Sequence, residues 1–117
     1  MITLAFYAFK QIEVGSIAAG NTSSGSWTAD DDYVIKKIFI KEVTETAVGL
    51  QFLNCTFRVD NYTFTKDEVR AILLSGWQNQ IPELNITLSK GQTFYYSITN
   101  EHSSSAIEPV IILELEK

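Results

Sequence analysis

Tyr33-Val34-Ile35-Lys36-Lys37-Ile38-Phe39-Ile40-Lys41-Glu42-Val43 (YVIKKIFIKEV, residues 33–43) is the stretch that decides the fold class. Its β-branched and aromatic side chains are stiff at the β-carbon or flat, and they fit a pleated, half-buried surface. The segment reads as a strand. Strands ordinarily alternate, apolar inward and polar outward. Here Val34, Ile38 and Ile40 fall on one face, yet Tyr33, Ile35 and Phe39 fall on the other, so both faces are apolar.

Both ends of the chain share this property. Met1 to Val14 (MITLAFYAFKQIEV) reads as one long strand or two abutting ones, with Ile2, Leu4 and Phe6 opposing Ala5, Tyr7 and Phe9. Ala106 to Glu116 reads as a long closing strand in which Ile111, Leu113 and Leu115 oppose Val110 and Ile112. A two-layer sandwich has one interior, so a second apolar face needs a cover. One reading is local: a short helix and the Trp77 loop cover one outer face, and bulges reset the register of another. The other is that neighbouring copies or different proteins cover these strands, as in obligate assemblies. The candidate interface is then Leu4, Phe6, Tyr7, Phe9, Tyr33, Ile35, Phe39, Val110 and Ile112.

Between these anchors the chain is punctuated by turns. Gly15 to Gly25 is small and polar and reads as a loop, with Ser26-Trp27-Thr28 a short strand after it. Ala29 to Asp32 turns the chain into the deciding segment, and Ala47 to Asn54 and Cys55 to Asp60 read as further strands. Asp60-Asn61 forms a tight hairpin corner, since both residues tolerate positive φ. Thr65-Lys66-Asp67-Glu68 then matches a capping box, and Val69, Ile72 and Leu73 follow at helical spacing. The expectation is one helix from about Lys66 to Leu74, ended by Gly76. Leu84 to Leu88 and Thr93 to Thr99 complete the strand set; in the latter Phe94, Tyr96 and Ile98 share a face.

No repeat or linker divides residues 1–117, which form one domain of a common size. The pattern predicts an all-β, single jelly-roll-like β-sandwich of eight or nine strands with one short helix mid-chain. Long terminal strands and a mid-chain helix suit that fold better than an immunoglobulin domain, whose Cys…Trp…Cys spacing is absent.

Composition restricts function. The formal charge is −5 and no run of lysines or arginines occurs, so direct nucleic-acid binding lacks its electrostatic footprint. Cys55 is the single cysteine and reads as a small buried hydrophobe. The apolar start, Met1 to Phe9, is too short for a membrane span and lacks the basic flank of a secretory signal. Synthesis in the cytoplasm, without a membrane anchor, is expected.

Catalytic groups are scarce. His102 is the only histidine, sits in a polar loop, and leaves no histidine-based dyad, triad or multi-histidine metal site. Asp30, Asp31 and Asp32 form the one dense carboxylate cluster, read as an acidic turn rather than a Ca²⁺ site, because adjacent side chains on an extended chain diverge. No phosphate loop or nucleophile elbow is present, and no cofactor and no enzymatic activity are expected. Asn-X-Ser/Thr occurs at Asn21, Asn54, Asn61 and Asn85. Glycosylation there would require exposure. Trp27, Trp77 and Tyr95 are candidate ligand-facing aromatics for a sugar-stacking platform, although rings of this kind also serve as core and rim packing.

Two segments carry a resemblance. Gly25-Ser26-Trp27-Thr28-Ala29-Asp30 with Tyr33 to Ile40, and Lys90-Gly91-Gln92-Thr93-Phe94-Tyr95-Tyr96-Ser97-Ile98-Thr99-Asn100 with the serine-rich loop and long strand after it, resemble small phage and archaeal virion proteins. The chain is similar to single jelly-roll capsid and spike-base domains in rhythm across most of its length. The resemblance implies a structural component of an icosahedral particle: a coat or minor capsid subunit, or a penton or turret-base protein. Its partners would be other copies of itself or other capsid proteins, and its place the virion. Coat proteins that touch packaged nucleic acid often carry a basic arm; its absence favours a position away from the genome. The alternative is a carbohydrate- or receptor-binding β-sandwich module using the aromatic trio.

Overall fold

The computed structural model describes residues 7–43, 47–63, 65, 68–76 and 80–117, the side chains of Tyr7, Ala47 and Val48 excepted. Within them the strands are β1 (Tyr7–Glu13), β2 (Thr22–Thr28), β3 (Tyr33–Glu42), β4 (Leu53–Val59), β5 (Tyr62–Thr63), β6 (Val69–Arg70), β7 (Ile86–Leu88), β8 (Thr93–Asn100) and β9 (Pro109–Glu116). The chain is all-β with almost no helix. One antiparallel sheet has four strands in the order β1-β9-β3-β7, and the other has five, in the order β2-β8-β4-β5 with β6 also on β4.

The pairings are nested. β1 pairs with β9, β2 with β8, β3 with β7, and β4 with β5 and β6, as in one long hairpin. Two further ladders, β3 with β9 and β4 with β8, roll that hairpin into two sheets. Asp60, at φ 49°, turns the corner into β5, and its Oδ1 accepts the Thr93 amide at 3.1 Å.

The two sheets share one apolar core, the arrangement of a β-sandwich. Ile35, Ile38, Ile40, Leu88, Ile111, Leu113 and Leu115 come from the first sheet, and Leu53, Cys55, Phe57, Val59, Phe94, Tyr96 and Ile98 from the second. Each large side chain fully withdrawn from water contributes roughly 1.5–3 kcal/mol. In β4 and β8 strict alternation achieves this. In β3 it does not, because Ile35 and Ile38 are three residues apart and strict alternation would send them to opposite faces. A β-bulge resolves the conflict. The ladder steps from Ile35 opposite Leu115 to Lys37 opposite Glu114, leaving Lys36 as the extra residue.

Asn100 closes one end of the sandwich. It is fully buried, its Nδ2 donates to the Ile17 and Ser105 carbonyls at 2.9 Å each, and its Oδ1 accepts the His102 amide at 2.9 Å. A buried amide with this set of partners avoids most of its desolvation cost.

Three expectations on local structure are corrected. The helix expected over Lys66–Leu74 is replaced, at the described positions, by β6 and a single 3-10 turn at Ala71–Leu74. Thr65 does not cap a helix: its hydroxyl accepts the Phe57 amide at 3.3 Å. Ala71 enters the core while Ile72 and Leu73 point to solvent, so helical spacing there does not gather one apolar face. Lys66 and Asp67 lie outside the described residues. The loop expected through Gly25 ends earlier, since β2 already begins at Thr22 and its hydroxyls bond across to β8. The strand expected from Ala47 is instead a 3-10 segment, Ala47–Phe52, whose Leu50 is fully buried. The expected strand of Met1–Val14 is present as β1 from Tyr7; Met1–Phe6 lie outside the described residues.

Candidate functional site

The outer face of the four-stranded sheet is set by the bulge and the β1-β9-β3 register. Phe9 stands opposite Glu114, Gln11 and Phe39 flank Ile112, and Glu13 and Lys41 flank Val110. Since Ile111, Leu113 and Leu115 face the core, these residues face away from it. Phe9 is 61% exposed, and Val110 and Ile112 are half-buried. Phe39 shares the face but is only 8% exposed. Residues 75–76 and 81–84 lie beside β3 there: Lys41 Nζ donates to the Ser75 and Gly76 carbonyls, the Leu84 amide donates to the Lys36 carbonyl at 2.7 Å, and Ile81 is buried. Local cover therefore accompanies Phe39, and Phe9 is left in solvent.

Two members of the expected interface are corrected. Ile35 is fully buried in the core, and Tyr33 packs against that core with its hydroxyl donating to Asp30 at 2.8 Å. The bulge at Lys36 is the reason, because it places residues before it on the opposite parity from Phe39. Leu4 and Phe6, and the side chain of Tyr7, lie outside the described residues.

The chemistry-bearing residues are committed to structure. Asp31 pairs with Lys117, Asp32 accepts the Lys90 amide at 2.9 Å, and Asp30 accepts Tyr33. Lys117 holds the Asp31 carboxyl below its ordinary range, chiefly by that hydrogen bond. His102 is half-buried. Its ring packs edge-on against Phe52 at 4.5 Å, and Nδ1 accepts the Ser104 and Ser105 amides at 3.1 and 3.0 Å. Burial pushes the Cys55 thiol up to about 12, with the Glu68 carboxylate adding to the effect, which leaves it a poor nucleophile. Among the described residues no cluster of three His, Cys, Asp or Glu side chains forms a metal site, and no helix is long and apolar enough to cross a membrane. Asn21, Asn61 and Asn85 are exposed, whereas Asn54 is buried.

The aromatic trio does not form one platform. Trp27 pairs with the inward-facing Phe94 and packs at the core rim, its ring 6.0 Å from Tyr33 with Lys10 Nζ 5.5 Å from its centroid. Tyr95, one residue on from Phe94, faces the opposite way. Trp77 lies outside the described residues.

Around Tyr95 the second sheet presents a face rich in hydroxyls. Thr22 bonds Thr99 at 2.8 Å, Ser24 bonds Ser97 at 3.3 Å and Thr28 bonds Thr93 at 2.9 Å, each across the β2–β8 ladder. A cleft of about 350 Å³ opens on this face, lined among others by Ser24, Ser26, Thr56, Arg58, Thr63, Tyr95 and Ser97. The Arg58 guanidinium carbon lies 3.7 Å from the Tyr95 ring centroid, and Nη1 donates to the Asp60 carbonyl. Sequence reading named Tyr95 as a candidate ligand-facing aromatic but missed the residues that surround it here. Ser24 fell in an expected loop, and Arg58 and Tyr95 meet only through the β4–β8 register.

No protein-family model matches this sequence, and no curated protein matches it.

Proposed function

We propose that this chain is a jelly-roll structural subunit of an icosahedral virus particle, non-enzymatic, which joins copies of itself or other capsid proteins through the outer face of its four-stranded sheet. The observation that carries the reading is the nested pairing, with successive long strands alternating between sheets of order β1-β9-β3-β7 and β2-β8-β4-β5. A long hairpin rolled into two sheets supports a jelly roll, a common architecture of capsid domains. The apolar strip of Phe9, Val110 and Ile112 supports close packing against a neighbour, because apolar side chains at an obligate contact gain by leaving water. A net charge of −5 supports a place away from packaged nucleic acid.

Light scattering across a dilution series tests the assembly. The expected result is a closed ring or larger species that persists on dilution and that the double variant Phe9→Ser, Ile112→Thr reduces to a folded monomer. A wild-type chain monomeric at every concentration would overturn self-assembly, and reconstitution with candidate capsid partners would then decide between the remaining partners.

A further inference from the structure

We infer that the cleft over Tyr95 and Arg58 is a binding site for a carboxylate-bearing saccharide, such as a sialic or uronic acid. The inference is independent of the assembly reading, since it concerns the opposite sheet.

Three observations meet at this cleft. Its walls carry hydroxyls of Ser24, Ser26, Thr56, Thr63 and Ser97, each able to donate and accept. Sugar hydroxyls have the same dual capacity, so the two sets can satisfy one another. These side chains sit on paired strands, and the bond between Ser24 and Ser97 already fixes part of the array. Binding therefore orders little that is not ordered beforehand.

The second observation is the cation. Lys36 pairs with Glu83 and Glu116, Arg70 with Glu101, and Lys117 with Asp31. Among the described residues no carboxylate is paired with Arg58, and no Asp or Glu lines the cleft. The neighbouring Asp60 turns its carboxylate Oδ1 to the Thr93 amide, so the guanidinium faces a cleft that no carboxylate lines. Stacking on Tyr95 and the bond to the Asp60 carbonyl hold the guanidinium plane, leaving further N–H groups for a bidentate carboxylate.

The third is size and character. A volume of about 350 Å³ falls at the small end of ligand sites and suits one or two sugar rings. An acidic peptide would bring apolar or extended-backbone demands that hydroxyl-lined strand centres do not meet.

The test is a ¹H–¹⁵N spectrum of the full chain titrated separately with N-acetylneuraminic acid, glucuronic acid, glucose, acetate and a tetraglutamate peptide. The expected result is saturable shifts at the amides of Ser24–Ser26, Thr56–Arg58 and Ser97, and at Arg58 Nε, with an acidic sugar, exceeding those with glucose or acetate. Arg58→Gln should weaken the response about ten-fold or more, with its spectrum otherwise folded. No response to either acidic sugar at roughly 20 mM would overturn the proposal. So would an equal response to acetate, a stronger one to tetraglutamate, or shifts that map elsewhere. The wild-type map decides even if Arg58→Gln does not fold.

Discussion

Gly25 lies opposite Tyr96 in the β2–β8 ladder, and a Cβ placed on Gly25 would stand 2.4 Å from the Tyr96 hydroxyl oxygen and 2.6 Å from its ring carbon. The tyrosine ring thus lies over the glycine on the core side of the sheet, where Tyr96 is 8% exposed. Glycine at this point is required by the neighbour's ring and not by a turn. Burial also holds the Tyr96 phenol above its ordinary pKa.

Gly25→Ala should therefore destabilise the fold by about 1–3 kcal/mol, the usual cost of overpacking a core. Denaturant unfolding measures it. In a Tyr96→Val background the same substitution should cost far less, since the two positions are in contact and their effects couple. An equal cost in both backgrounds would mean that the ring is not what excludes a side chain.

Asn100 gives a second prediction. Asn100→Ala would remove the side-chain donor to the Ile17 and Ser105 carbonyls and the acceptor of the His102 amide, while the Ile17 carbonyl keeps the Ile107 amide. Ser105 is exposed and His102 half-buried, so water can replace part of what is lost, and a loss of about 1–3 kcal/mol is expected in chemical unfolding. Asn100→Asp should be at least as damaging at neutral pH, because a carboxylate would then face two carbonyl oxygens. Partial recovery on acidification, as the introduced acid regains a proton to donate, is the expected signature.

The third prediction concerns acid. Lys36 lies 2.7 Å from Glu83 and 3.4 Å from Glu116. The hydrogen bond from Lys36 is the main cause that holds the Glu83 carboxyl below its ordinary range, and the bond to Glu83 is the main cause that holds the Lys36 ammonium above its own. A lowered carboxylate pKa contributes stability that is present above the unfolded value and lost as pH falls through the folded one. The raised lysine contributes below its unfolded value and loses that only as pH rises through the folded one, in the alkaline range. Lys36→Met should therefore flatten the fall in urea midpoint between about pH 6 and pH 3. Identical acid profiles for variant and wild type would show that the pair is screened to nothing, as exposed pairs often are.

How far the sequence disclosed this architecture depends on the segment. β8 was legible because Phe94, Tyr96 and Ile98 alternate strictly, and the Asp60 corner because a residue tolerant of positive φ stands there. β2 was half-legible: serines and threonines signal a loop by composition, but here they serve as cross-strand hydroxyl pairs, which only a partner strand reveals. The helix expected after Thr65 failed because the capping hydroxyl was recruited by the Phe57 amide eight residues earlier. The cleft was invisible for a similar reason. Tyr95 was singled out as a ligand-facing aromatic, but alongside Trp27 and Trp77; nothing local marks Arg58, and the two meet only through a ladder whose register is set elsewhere. The double-faced strands were visible as an anomaly, and in β3 their cause is a single residue.

That residue supplies the last prediction. Lys36 is the extra position in the β3–β9 ladder, lying between Ile35 opposite Leu115 and Lys37 opposite Glu114. Removing it would join Ile35 to Lys37 and leave Ile35, Ile38 and Ile40 each on the core face in an uninterrupted alternation. The losses would be its ion pairs, the carbonyl that accepts the Leu84 amide, and the local bend. Deletion of Phe39, three residues further on, has the opposite consequence. With β3 still registered through Ile38, Ile40 would move to the outer face and Lys41 into the core, which breaks the alternation that buries this strand. The Lys36 deletion should consequently yield a folded chain with cooperative unfolding at a lower midpoint, and the Phe39 deletion a chain without a cooperative transition. Thermal unfolding followed by near-ultraviolet circular dichroism separates the two. If both deletions unfold the protein alike, the bulge is not a removable insertion but a bend on which the packing of β7 and β9 against β3 depends.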